Sequence, residues 1–249
     1  MINYIKKKIP FYNSKYLAII PARGGSKRIL NKNIKKFNDL PIIAWSIKVA
    51  KECKLFDEVM VSTENKNIAK LAKKFGASIP FMRSKKNSTD SIPLVNVLKE
   101  VLKQYQSIGK KFEYVCCFYA AAPLIKKKFV IEGLKKLKKN KYDSVLSASK
   151  CESSIWRSFK KDKKGKIIMN FKNNILKSSN QFPESYYHDG QWFWINVSKF
   201  LKSKIIIGKN TGAVLIPPHL SQDINTFDDW RMAEMKFMFS KKKLIKKLK

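Results

Sequence analysis

Residues 17–20, LAII, are four consecutive apolar side chains that run straight into Pro21, Arg23, Gly24, Gly25 and a cluster of cationic and amide side chains. An unbroken apolar run of this kind predicts a strand buried on both faces, which requires a sheet with helices packed on each side. Pro21 cannot donate to a ladder, so the strand ends there and a loop begins. Gly24 and Gly25 predict backbone conformations closed to other residues and a close approach of amide N–H groups to an anion, while Arg23, Lys27, Arg28 and Lys32 surround it with charge. The segment predicts a polyphosphate-binding loop, although it matches neither GxxxxGK[ST] nor GxGxxG.

The rest of the chain alternates helical and extended patterns. Residues 41–53 have helical spacing, with Ile42, Ile43, Trp45, Ser46, Val49 and Ala50 on one face, and residues 58–62 predict a short strand. Helical patterns follow at 68–75, 93–105 and 130–139, and extended patterns at 78–82, 114–119, 144–149, 190–196 and 213–216. A final helix begins near Asp228. Between residues 156 and 174 the segment DKKGK predicts a hairpin between two short β segments. Repeated β-α units predict a doubly wound, mostly parallel α/β sheet whose ligand crevice lies at the carboxyl ends of its strands. The organisation expected is a basic extension over 1–15, one domain over 16–240 with an excursion at about 156–181, and a Lys-rich tail over 241–249.

A chain of 249 residues with 44% hydrophobic content can bury one substantial core. It has no apolar run of about 18 residues and its first residues lack the apolar stretch of a signal peptide, so a cytoplasmic protein without a membrane partner is expected. Cys53, Cys116, Cys117 and Cys151 show neither CxxC spacing nor a disulfide-dense pattern, which predicts reduced thiols. The formal net charge of +35 invites a nucleic-acid reading. Against it, only five of the 53 basic residues are arginine, and the cations are spread along the chain rather than gathered into a patch. The excess of Lys, Asn and Ile has the signature of an AT-rich genome, so nucleic acid is not the expected partner.

Five blocks together resemble the acylneuraminate cytidylyltransferase family, the enzymes that make CMP-activated nonulosonic acids. They are IIPARGGSKRILNKN, STENKNIAKLAKKFGASIPFMR, YVCCFYAAAP, YYHDGQWFW and SQDINTFDDW, in the family's order over residues 16–239. YYHDGQWFW resembles the branch whose acceptor is pseudaminic acid.

The resemblance implies a Rossmann-like sheet of the nucleotide-diphospho-sugar transferase type, a homodimer built through the excursion, and transfer of CMP from CTP to the anomeric hydroxyl of a nine-carbon 2-keto sugar acid. Legionaminic and N-acetylneuraminic acid are the alternative acceptors, and outside this class stand a non-catalytic CTP binder and a nucleic-acid-binding protein. The implied triphosphate contacts are Arg23, Gly24, Gly25, Ser26, Lys27, Lys32 and Asn33, with Arg83 on the cytidine side and Asp90 to Ile92 near the base. Asp223 is the implied Mg²⁺ ligand, and Asn225 stands where relatives carry a second aspartate, offering a carbonyl without charge. Tyr187, His188, Asp189 and Gln191 are the implied sugar contacts. The run SNQFP at 179–183 lacks an arginine common in relatives, leaving Arg157 or Lys177 to hold the acceptor carboxylate, and Ala121 replaces a common threonine.

Overall fold

The computed structural model describes residues 12–151 and 155–247. Ten strands and six α-helices follow one another in the order β1 (Tyr12–Pro21), β2 (Lys36–Phe37), β3 (Leu40–Pro41), α1 (Ile42–Glu52), β4 (Glu58–Ser62), α2 (Lys66–Lys74), α3 (Leu94–Ser107), β5 (Lys110–Phe118), α4 (Lys127–Lys139), β6 (Ser144–Lys150), β7 (Phe159–Lys161), β8 (Ile167–Met169), β9 (Tyr186–Asn196), α5 (Val197–Ser203), β10 (Thr211–Leu215) and α6 (Phe227–Lys247). Six of the strands form one sheet in the order β10-β6-β9-β5-β1-β4. All neighbours pair in parallel except β9, which runs antiparallel between β5 and β6.

The continuous apolar runs mark strands covered on both sides. In β1, Ala18 and Ile20 enter a core shared with α1, α2 and α4, while Leu17 and Ile19 enter a second core shared with α3 and α5. β9 repeats the division, sending Trp192 and Trp194 to the first core and Phe193 and Ile195 to the second. Alternate residues of a strand point to opposite faces, so a doubly covered strand must be apolar throughout. α4 lies so close to the sheet that a Cβ on Gly133 would stand 2.6 Å from the Trp192 ring.

Several element bounds differ from those read in the sequence. β1 starts at Tyr12, because residues 12–14 pair with residues 110–112 of β5, so the main sheet reaches into the segment expected as an extension. Residues 1–11 lie outside the described residues. The extended segment at 78–82 makes one isolated bridge, Met60 to Ser78, and no full strand. α6 continues through Lys247, into the expected tail. The excursion does contain a hairpin, β7 with β8, as a separate two-stranded sheet.

β9 also starts four residues earlier than its apolar run, and it carries a bulge. Between the pairs Leu146↔Phe193 and Ala148↔His188, β6 advances two residues while β9 advances five. The surplus residues, Asp189 to Gln191, break the alternation that a regular strand would show, which is why the pattern became readable only from Gly190 onward.

A third, smaller core joins Ile29, Phe37, Ile42, Leu124, Ile224, Trp230, Ala233 and Phe237. It lies beneath the loop after β1 and anchors α6 to the carboxyl end of the sheet.

Candidate active site

Parallel strands on either side of β1 lead away in opposite directions, β4 to one side and β5 to the other, and a crevice opens where their carboxyl ends diverge. A cleft of about 350 Å³ occupies this position. Its lining includes Arg23, Lys27, Lys32, Arg83, Tyr119 and Asp223.

The glycine loop is built differently from the sequence expectation. Neither Gly24 nor Gly25 has a positive φ. What Gly24 supplies is proximity: a Cβ there would stand 2.5 Å from Asn65 Nδ2. Asn65 is held in place as the N-cap of α2, its Oδ1 accepting from the N–H groups of Asn67 and Ile68 at 2.9 and 3.1 Å. Gly24 N–H donates to Glu64 Oε1 at 2.6 Å, so this amide is engaged by a carboxylate of the chain. Around Gly25 there is open space.

The cations of the loop face two partners. Arg23 and Lys27 are both paired with Asp90, the latter at 2.8 Å. Asp90, expected near the base, is thus engaged by two cations of the loop. Asn33 is buried and fixes the loop by donating from Nδ2 to the Arg23 carbonyl at 2.9 Å. Lys32 Nζ crosses 192 residues of sequence to donate to the Ile224 carbonyl at 2.7 Å. Burial holds its ammonium below the usual lysine range, and Asp223 opposes that shift.

Asp223 is exposed at the floor of the cleft, its Oδ2 accepting from Asn225 Nδ2 at 2.7 Å. Asn225 thus spends its amide on Asp223. The helix after it is capped by Asp229, whose Oδ2 accepts from the N–H groups of Asn225 and Thr226, while Thr226 Oγ1 accepts from the Asp229 N–H. Asp229 is consequently a cap, and burial notwithstanding, these hydrogen bonds lower its pKa.

The residues expected to contact the acceptor are less uniform. Asp189 is fully buried and accepts from the hydroxyl of Ser147, and burial raises its pKa. Gln191 is buried as well, donating from Nε2 to the Leu220 carbonyl at 2.6 Å. Both point into the protein rather than the cleft, a consequence of the bulge. His188 Nδ1 lies 2.8 Å from the Ser147 carbonyl and its ring 5.4 Å from Tyr119. A carbonyl only accepts, so Nδ1 carries hydrogen and Nε2 of the neutral ring is left as an acceptor. Nε2 is buried with no partner among the described residues. Tyr187 is exposed on β9. Arg157 lies in the excursion, donating to the Lys177 carbonyl and stacking on Phe182, away from the lining of the cleft. Arg83 lines the cleft but is largely buried, with its guanidinium spent on the hydroxyl and carbonyl of Ser62.

A phosphate-type loop, an opposed carboxylate and a switch-point cleft are features of nucleotide-handling sheets in general. A family model described as Cytidylyltransferase matches residues 17–223, which spans all of them. The chain belongs to the cytidylyltransferase family.

Relatives of this cytidylyltransferase agree. Pseudaminic acid cytidylyltransferase of Campylobacter jejuni subsp. jejuni is 35% identical over 222 residues, 89% of this chain and 95% of that protein. CMP-N,N'-diacetyllegionaminic acid synthase of Legionella pneumophila subsp. pneumophila is 28% identical over 222 residues, 88% and 94% of the two chains. A solved structure of CMP:2-keto-3-deoxy-manno-octonic acid synthetase complexed with CTP superposes with a TM-score of 0.65 at 14% identity, covering 92% of this chain and all of that one, and supports the fold. The enzyme is a nucleotidyltransferase with an α/β, mostly parallel sheet.

The donor set suits a single hard cation. Among the described residues no group of three or more His, Cys, Asp or Glu side chains gathers at one point. Asp223 contributes one exposed carboxylate beside the cationic loop, and an ion that completes its shell from phosphate oxygens and water needs no more. Two carboxylates of this cytidylyltransferase were not foreseen in these roles, Glu64 and Asp90. Glu64 had a signal in the sequence: it follows β4 at the carboxyl end of the sheet, within the block STEN.

Proposed function

We propose that the chain transfers the cytidylyl group of CTP to the anomeric hydroxyl of pseudaminic acid. The oxygen–phosphorus bond forms at the α-phosphorus, the α–β anhydride bond breaks, and pyrophosphate leaves. The observation that carries this reading is the 2.7 Å bond from Lys32 to the Ile224 carbonyl, which docks the cationic loop against the segment bearing Asp223. Nucleotidyl transfer needs cations on the leaving phosphates and a rigid frame more than a covalent nucleophile. Arg23, Lys27 and Lys32 meet that need, Ser26 adds a neutral hydroxyl donor, and Asn33 stiffens the loop that carries them.

Mg²⁺, held by Asp223, would supply Lewis-acid charge at the phosphate oxygens. Tyr119, which lines the cleft and is kept neutral because burial pushes its phenol up, is a donor for a hydroxyl of the sugar acid, and the His188 ring packs against it 5.4 Å away as its support. The preference for pseudaminic acid rests on the 35% identical relative that bears this name and on the block at 186–194. A homodimer fits the exposed apolar side chains of the excursion, among them Phe159, Ile167, Ile168, Ile175 and Leu176. A monomer by light scattering at micromolar concentration would remove the dimer.

The test is a mass-spectrometric assay with CTP, Mg²⁺ and pseudaminic, legionaminic, N-acetylneuraminic and 3-deoxy-octulosonic acids. A CMP-sugar from pseudaminic acid alone is expected. Product from another acid alone overturns the acceptor, and no product with any acid overturns the reaction.

A further inference from the structure

The segment from Leu220 to Asn225 has no regular structure after its first residue, yet its main chain is gripped at three carbonyls. Gln191 Nε2 donates to the Leu220 carbonyl at 2.6 Å, Lys236 Nζ to the Ser221 carbonyl at 2.7 Å, and Lys32 Nζ to the Ile224 carbonyl at 2.7 Å. Three separate elements, β9, α6 and the cationic loop, therefore hold one short stretch. Asp223 lies inside it.

The grip from β9 comes from the bulge. Ser147 Oγ accepts from the Trp192 N–H at 3.2 Å and donates to Asp189 Oδ1, which in turn accepts from the Gln191 N–H at 3.3 Å. The Gln191 carbonyl accepts from the Tyr119 N–H at 2.9 Å. Every polar group of the bulge that is engaged in this way stiffens the backbone from which Gln191 reaches Leu220. Between Asp189 and Gln191, Gly190 has φ +70°, and a Cβ there would stand 3.1 Å from Asp223 Oδ1. The Asp223 carboxylate thus rests against the bare α-carbon of the bulge.

We infer that Gln191 and the β9 bulge are positioning elements for the Asp223 carboxylate, with Lys236 as their counterpart from α6, rather than contacts for the sugar acid. The inference rests on the reading of Asp223 as the residue that holds a divalent cation. A ligand that floats by even a fraction of an ångström loses affinity, and residues that orient ligands characteristically matter by about 10- to 100-fold in metal binding. Burial of Gln191 at 2% exposure leaves no surface for a sugar to touch.

Gln191→Met keeps the volume and removes the donor. Its test is titration of Mn²⁺ in the presence of CTP, followed by the electron paramagnetic resonance of free ion, together with the KM for the acceptor. Weakening of Mn²⁺ binding by about tenfold or more, with the acceptor KM within about twofold of the parent, is expected. Unchanged Mn²⁺ binding, with or without a raised acceptor KM, overturns the inference. Lys236→Met provides the same readout from α6, should Gln191→Met fail to fold, and unchanged Mn²⁺ binding there overturns it equally. Failure of the underlying reading is distinguishable, since it would show as an unaltered Mn²⁺ titration in Asp223→Ala.

Discussion

Asp90 Oδ2 lies 2.8 Å from Lys27 Nζ, and the same carboxylate pairs with Arg23. Two cations proposed for the triphosphate thus share one carboxylate from the loop before α3, and the trio keeps a net charge of about +1. CTP has to compete with this carboxylate for both.

Asp90→Asn accordingly lowers the KM for CTP and strengthens product inhibition by pyrophosphate. The pair is partly exposed, so the effect is modest, about 0.5–1 kcal/mol or about two- to fivefold. Steady-state kinetics at low salt measure it. A raised KM would instead make Asp90 a scaffold for Arg23.

The two loop glycines separate cleanly. Gly24→Ala drives a methyl group into Asn65, which cannot move aside without giving up its cap on α2, and the cost is about 1 kcal/mol of stability plus a disturbed loop. Gly25→Ala meets no neighbour and no positive φ, so its thermal midpoint stays near that of the parent. Paired thermal melts test the contrast.

Asp223→Ala removes an exposed carboxylate rather than core packing. Turnover with Mg²⁺ falls by about two to three orders of magnitude while stability changes by about 0.5 kcal/mol or less. Retained turnover would show that the cation is held elsewhere.

Lys32 sets an alkaline limit. Burial depresses its pKa, so the charged form that attracts phosphate is present below that pKa and lost as pH rises through it. The alkaline limb of kcat/KM for CTP, which reports the free enzyme, therefore begins at lower pH than an ordinary lysine would give. Lys32→Arg moves the limb to higher pH. A limb that does not move assigns it to another group.

His188→Ala removes the ring that packs against Tyr119 and strands the Ser147 carbonyl. The KM for the sugar acid rises because Tyr119 loses its support, while the KM for CTP holds, and the thermal midpoint falls with the loss of about 1–3 kcal/mol for an unpaired buried polar group. Initial-rate kinetics with each substrate varied in turn decide it.

The sheet was legible in the sequence because its strands are covered on both faces, and LAII and YVCCFY can be nothing but apolar under that constraint. The roles of individual polar residues were less so. Asp189 and Gln191 look like ligand contacts in a row of polar letters, but the bulge turns them inward, and bulges leave no periodic trace. Asp223 stood out as a metal candidate because a lone carboxylate between a strand and the last helix suits an ion that completes its shell from phosphates and water. Asp90 could not, since its meaning depends on Lys27 and Arg23, residues that only the folded backbone brings to it.

The reversed direction of β9 places its beginning, not its end, at the rim where β1 and β5 finish. The stretch from 155 to 188 therefore feeds onto the nucleotide end of the sheet, and His188 arrives there from a separate span of chain than the loop at 21–33. In the function proposed above, one span carries the grip on the nucleotide and another the surface offered to the sugar. Changes of acceptor can accumulate in the later span without retuning the earlier one, so the departures at 179–183 need carry no penalty for the handling of CTP.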